Sequence, residues 1–175
     1  QLTEAVAGDV QRVLFSTSTR DVVRKKAALT LLRLYRIDNS IIDLEESAGP
    51  LIGLLEQNNI GVKLASVSLL LNIASSSIEY LEDCVPRCIM CLTQLVIHKS
   101  CPSDYLYYNT ACPWLQVKLL RMLQYFPFPA ESTLVGRLNE VLERILTRTE
   151  VTKSVNKNNS DHSILFEAIN LIIHQ

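Results

Sequence analysis

Ala111-Cys112-Pro113-Trp114-Leu115-Gln116-Val117-Lys118-Leu119-Leu120-Arg121-Met122-Leu123-Gln124-Tyr125 reads as one amphipathic helix with a sharp start. Leu115, Leu119, Met122 and Phe126 recur at helical spacing, and Gln116, Lys118, Arg121 and Gln124 supply the polar positions. Pro113 suits the first turn, where a missing amide hydrogen costs nothing. The stretch holds the only tryptophan of the chain. A buried indole here would make Trp114→Ala cost about 3–5 kcal/mol. A cost below about 1 kcal/mol would mark the indole as exposed, at a contact with another subunit.

Outward from this helix the same period recurs. Leu2 to Phe15 carries the stripe Leu2, Val6, Val10, Val13 and Leu14. After Ser16-Thr17-Ser18-Thr19, Asp21 is placed as the N-cap of a helix reaching about Arg36, with Val23, Ala27, Leu31 and Leu34 inward. Gly49-Pro50 is expected to split a weaker region from Ile41 to Gln57. Asn58-Asn59-Ile60-Gly61 marks a turn, and Val62 to Ala74 is apolar nearly all round, as in a helix covered on several sides. A short helix over Ile78 to Asp83 precedes one opened by Pro86, which buries Ile89, Leu92, Leu95 and Val96.

A tyrosine-rich connection over about 100–113 (Tyr105, Tyr107, Tyr108) leads into the tryptophan helix. Beyond Phe126-Pro127-Phe128-Pro129, Leu134, Val135, Leu138, Val141, Leu142, Ile145 and Leu146 give the cleanest stripe in the chain. Residues 148–162 are polar and read as a mobile loop. A last helix begins near Asp161 and buries Ile164, Leu165, Ala168, Leu171 and Ile172. No segment shows sustained two-residue alternation bounded by hairpin signals, so the chain is expected to be all-α.

The pattern repeats. Val23-Arg24 and Val62-Lys63 stand 39 residues apart and open helices with Ala27 and Leu31, or Ser66 and Leu70, four and eight positions on. A period near 40 built from helix pairs predicts a HEAT/armadillo-like right-handed α-solenoid of stacked helix pairs, whose broad faces bind other proteins. Residue 1 is Gln within an amphipathic pattern, and Ile172-Ile173-His174-Gln175 stops in mid-pattern. Residues 1–175 are therefore expected to be one segment of a longer solenoid.

Composition narrows the function. The chain is 48% hydrophobic and 20% charged, the balance of a folded protein. A net charge of -1 provides no whole-chain attraction for nucleic acid. No apolar run approaches the ~20 residues of a transmembrane helix. Five cysteines without disulfide spacing suit a reduced, cytosolic setting. Cys84, Cys88 and Cys91 match a Cys-x3-Cys-x2-Cys spacing that can ligate an iron–sulfur cluster. Pro86 opens an amphipathic helix across them, however, and no α/β barrel pattern surrounds it, so core packing is the preferred reading. His98, His162 and His174 are scattered, and no phosphate loop or nucleophile elbow occurs. No catalytic centre, metal or cofactor is expected.

Arg12, Arg20, Arg24, Lys25, Lys26, Arg33 and Arg36 against Glu4, Asp9, Asp21 and Asp38 leave +3 over the first forty residues. Two readings stand: a solvated helix face, or a contact of Arg24, Lys25 and Lys26 with an acidic partner or lipid headgroups, worth about 1 kcal/mol per residue.

The segments together resemble a known family. Leu106-Tyr107-Tyr108 followed by Cys112 to Gln124 is similar to the trunk of clathrin adaptor large subunits. So are Ala7-Gly8-Asp9-Val10-Gln11, Ala27-Ala28-Leu29, Leu32-Arg33-Leu34-Tyr35-Arg36 and Ile164-Leu165-Phe166-Glu167-Ala168-Ile169. Pro113, Trp114, Val117 and Arg121 form the structural signature, which is most like the alpha-type subunit (alpha-adaptin) of the plasma-membrane complex. The gamma-type subunit of the trans-Golgi complex is similar but carries Phe at the position of Trp114. Ile41 to Asp83 matches more loosely.

The resemblance implies a non-catalytic scaffold of endocytosis and vesicle transport, peripheral on the cytosolic face of the plasma membrane at clathrin-coated pits. It implies assembly with a beta-type large, a mu-type medium and a sigma-type small subunit, and contact with phosphoinositide membrane and clathrin through the whole complex. The alternative outside the family is a helical-repeat module that binds extended peptides, such as a transport receptor.

Overall fold

The polar breaks of the sequence become helix boundaries in a computed structural model that describes residues 2–174, with side chains from Ala5 onward. The readings above that involve Gln1, Gln175 and the Leu2 and Glu4 side chains lie outside the described residues. Contacts divide the chain into two units, Gln1–Asp83 and Cys84–Gln175. Each is a stack of helices, and the fold is all-α apart from one small hairpin.

The first unit holds α1 (Leu2–Phe15), α2 (Asp21–Ile37), α3 (Leu44–Gly53) and α4 (Ile60–Ala74). Helix α4 carries apolar residues around its whole circumference and packs against α2 and α3. Val62, Leu69, Leu70 and Ile73 are shielded within it. Asn59 caps its start by accepting from Val62 N at 3.0 Å. Asp43 caps α3 in the same way through the amides of Glu45 and Glu46.

The stripe on α2 is rotated from the predicted one. Val23 faces outward, and the buried face is Arg24, Ala27, Ala28, Leu31, Leu32 and Tyr35. One guanidinium lies within that buried face. Arg24 is only 4% exposed and donates from Nε to the carbonyl of Leu14 and from Nη1 to Gln57 Oε1, each at 3.0 Å. Asp21 Oδ1 lies 3.5 Å from the same Nη1. Leu14 sits in the last turn of α1, where carbonyls lack helical partners and the helix dipole favours a cation. Arg24 thus ties α1, α2 and the segment following α3.

Three further expectations are corrected in this unit. The N-cap of α2 is Arg20, which makes no side-chain cap bond, and Asp21 is the first helical residue. Pro50 does not split α3 but lies inside it. It stands on the exposed side, and the carbonyl it leaves unpaired belongs to exposed Glu46, where water can answer it. Ile78–Tyr80 is a single 3-10 turn rather than a short helix reaching Asp83.

The second unit runs α5 (Cys84–Leu92), a π-helical turn Thr93–Ile97, a 3-10 turn Ser103–Tyr105, strands β1 (Leu106–Tyr107) and β2 (Thr110–Ala111), then α6 (Pro113–Leu123), α7 (Ser132–Arg148) and α8 (Val155–Ile173). The tyrosine-rich connection closes on itself as an antiparallel hairpin, pairing Leu106 with Ala111 and Tyr107 with Thr110. Tyr108 and Asn109 take positive φ at its two-residue bend, the geometry that matches strand twist. Strands this short leave no alternation to read.

Helix α8 is longer than predicted, and residues 155–162 are helical rather than loop. Ser154 caps it at Lys157 N, and Lys157 pairs with Asp161 one turn on, at 2.8 Å. Thr152 and Asn158 bind one another across the turn that precedes the helix. The apolar period begins only at Ile164, so the polar first turns gave no stripe to find. Leu165 is half-buried and Ile172 exposed; Ile164, Ala168 and Leu171 form the inner face with Glu167. Among the described residues no helix is long and apolar enough to cross a membrane.

Arg24→Ala is expected to lower the unfolding free energy by about 2–3 kcal/mol, because charge-assisted bonds are lost and two acceptors are stranded. Arg24→Lys, which keeps the charge without the fork, is expected to cost less. Urea midpoints compare the three proteins, and an unchanged midpoint for Arg24→Ala contradicts the assignment.

Candidate functional site

The hairpin delivers the chain to α6 through a constrained step. Cys112 sits in the left-handed region at φ 36° and is fully buried, its amide donating to the carbonyl of Tyr105 at 2.9 Å. A non-glycine residue in this region costs about 1–2 kcal/mol, so the packing around it over-determines the bend. Pro113 then starts the helix. With Leu115, Leu119, Leu120, Met122 and Leu123 directed into the core, Trp114 is left on the outside.

The indole is 51% exposed, so of the two readings the sequence left open for Trp114 the exposed one holds. It stands edge-on to Tyr107, centroids 5.1 Å apart, and Tyr107 is edge-on to Tyr108 at 4.8 Å. Trp114 and Tyr107 wall a groove of about 570 Å³ between α6 and α8. Pro113, Val117, Lys118 and Arg121 continue the α6 side, and Asn156, Asn159, Ser163 and Phe166 face them from α8. Phe166 is exposed, with its ring centroid 6.4 Å from that of His162.

A carboxylate on α8 fixes the spacing of the two walls. Glu167 accepts from Arg121 Nε at 2.6 Å and from Gln124 Nε2 at 3.0 Å, while its side chain is only 11% exposed. A buried carboxylate needs such partners, because an unanswered one costs several kcal/mol. Below the groove Gln116 Nε2, also buried, donates to the carbonyl of Ala111 at 2.6 Å and ties the hairpin to α6. The result is a rigid, partly aromatic surface.

Of the signature residues, Pro113, Trp114, Val117 and Arg121 all line this groove. Arg24, Lys25 and Lys26 do not come together. Arg24 is inside, Lys25 is half-buried and Lys26 is exposed, so Arg24 is withdrawn from any surface contact. His98 and His174 cap the π-helical turn and α8, and with His162 they do not converge. Among the described residues no group of three or more His, Cys, Asp or Glu could hold a metal.

Cys84, Cys88 and Cys91 are buried on α5. Burial, with Cys84 and Cys91 beside it, pushes the Cys88 thiol well above the ordinary 9.0. Burial also raises Cys112 and the half-exposed Cys101.

Sequence reasoning missed the clamp, yet a signal existed. Glu167 stands among Ile164, Ala168 and Leu171 at helical spacing, and a charged residue within an apolar stripe calls for a buried partner.

Comparison with known proteins matches residues 1–175 to the family described as the adaptin N terminal region. The AP-2 complex subunits alpha-1 and alpha-2 of Arabidopsis thaliana are each 44% identical over 171 residues, covering 98% of this chain and 17% of the relative. The AP-2 complex subunit alpha-2 of Dictyostelium discoideum is 36% identical over 176 residues, covering 99% of this chain and 18% of the relative. The chain thus spans less than a fifth of the length of these curated relatives.

Trp114→Ala is expected to cost about 1 kcal/mol, the scale of its edge contact with Tyr107. Leu119→Ala, in the core of the same helix, is expected to cost about 2–5 kcal/mol. Chemical unfolding of the two variants under one condition checks the order, and a larger loss for Trp114→Ala contradicts the placement of the indole.

Proposed function

This chain belongs to the family of the adaptin N-terminal region, and from that premise we propose that it is a stretch of the trunk of an alpha-type clathrin adaptor large subunit. In this reading it is a non-catalytic scaffold for endocytosis and vesicular transport, working on the cytosolic face of the plasma membrane at coated pits. The observation that carries the proposal is the likeness to alpha subunits along nearly the whole chain, 44% identical over 98% of it.

The physical role follows from the helix stacks. Helices locked by core packing and buried charge hold their outward faces at fixed spacing, which is what an assembly platform needs. The partners proposed are a beta-type large, a mu-type medium and a sigma-type small subunit, with phosphoinositide membrane and clathrin engaged through the whole complex. The groove of Trp114, Tyr107 and Arg121 has the residue types that dominate binding energy at protein contacts, and we assign it to a sibling subunit. Lys26, with Lys25 beside it, remains the proposed contact of the first unit with an acidic partner or headgroup.

Co-expression tests the proposal. The full-length protein should co-purify in fixed stoichiometry with sigma-type, mu-type and beta-type subunits, and Trp114→Ala should weaken that assembly without unfolding the protein. A full-length protein that stays monomeric among those partners, and binds an extended basic peptide instead, overturns the adaptor reading.

A further inference from the structure

Helix α2 carries a second stripe, on the side away from the core. Val22, Lys26, Leu29, Arg33, Arg36 and Ile37 are all exposed there. At about 3.6 residues per turn, the six fall within about 100° of arc and run roughly 22 Å along the helix. The aliphatic members are open to solvent, Val22 at 52%, Leu29 at 46% and Ile37 at 73%. Across the arc the order is Arg36, Leu29, Val22, Arg33, Lys26, Ile37, so cations and aliphatic side chains interleave.

No charge on the helix answers these cations. The only carboxylate of α2, Asp21, is turned elsewhere, its Oδ1 3.5 Å from Nη1 of buried Arg24. The side chains of Lys26, Arg33 and Arg36 make no hydrogen bond or ion pair with any described residue. Lys25, half-buried beside the stripe, adds charge of the same sign.

From this pattern we infer that the stripe receives an acidic amphipathic helix of a partner protein. The inference rests on the contact role proposed for Lys26 and commits that contact to protein. Val22, Lys26, Leu29 and Arg33 stand at i, i+4, i+7 and i+11, the spacing along which one helix meets another. Aliphatic groups of the partner pack against Val22, Leu29 and Ile37, while its carboxylates reach the three cations between them. A helix lying on a membrane keeps its cations on the polar face, apart from the apolar one. Here Arg33 and Lys26 lie between Val22 and Ile37, so sinking those side chains into lipid would drag both charges down with them. A second copy of this chain, set across a two-fold axis, would oppose cation to cation.

The test follows the fluorescence anisotropy of a labelled helical peptide of about five turns added to the full-length protein. The peptide carries leucine along one face with glutamate interleaved, and a control peptide has lysine in place of each glutamate. The expected result is saturable binding of the glutamate peptide but not of the lysine peptide, weakened about tenfold or more by Lys26→Glu/Arg33→Glu. That double variant should take up the lysine peptide instead. Leu29→Ala should weaken the glutamate peptide severalfold, and it stands in should the double variant lose helix content. Arg137→Gln, in the second unit, should leave binding intact. No binding, equal binding of the two peptides, or binding that Lys26→Glu/Arg33→Glu and Leu29→Ala leave unchanged overturns the inference. So does failure of the glutamate peptide beside flotation with phosphatidylserine vesicles that these variants abolish, which assigns the stripe to a membrane. No sibling subunit is present in this assay, so co-purification decides the adaptor reading and the peptides decide this one.

Discussion

A charged group buried at a helix crossing fixes each of the two units, Arg24 in the first and Glu167 in the second. Apolar burial supplies most of the driving force for stacking helices, but it is non-directional and tolerates sliding. A buried charge does not, since leaving it unanswered costs more than most single contacts return. Arg24 meets the orphan carbonyl of Leu14 and the amide oxygen of Gln57. Glu167 meets Arg121 and Gln124. Each set of bonds admits one register of its helices.

Around these points the packing follows ordinary rules. Helix α4, apolar on every side, is covered by α2 and α3. In the second unit α6 lies against α5 and α8, and the strained Cys112 sets its starting direction. That direction decides what the tryptophan can do. Leu115 and Leu119 fill the core one and five residues later, so Trp114 falls on the outer edge, where Tyr107 and Phe166 share its groove.

Much of this was legible in the sequence because helical period and caps are local properties. The inner residues of α6, and Leu138, Val141, Leu142 and Ile145 of α7, follow directly from spacing. Asn58-Asn59 was legible as a break, though Ile60 and Gly61, read as turn, already belong to α4. What escaped depends on partners distant in the chain. Nothing local says that Arg24 turns inward while Lys25 and Lys26 do not, since the reason lies in Leu14 and Gln57. Residues 155–162 looked like loop because their helix is held by polar bonds: Ser154 to Lys157, Lys157 to Asp161, and Asn156 to Tyr108. Spacing alone left both a buried and an exposed Trp114 open, and the structure decides for the exposed one.

The placement of that single indole is the central claim and can be measured without a variant. Acrylamide quenching of intrinsic tryptophan fluorescence reports Trp114 alone. The structure predicts efficient quenching and solvent-relaxed, long-wavelength emission in the native protein, with only a modest further rise on unfolding in urea. Short-wavelength emission shielded from acrylamide until the protein unfolds would contradict it, and would return Trp114 to the core.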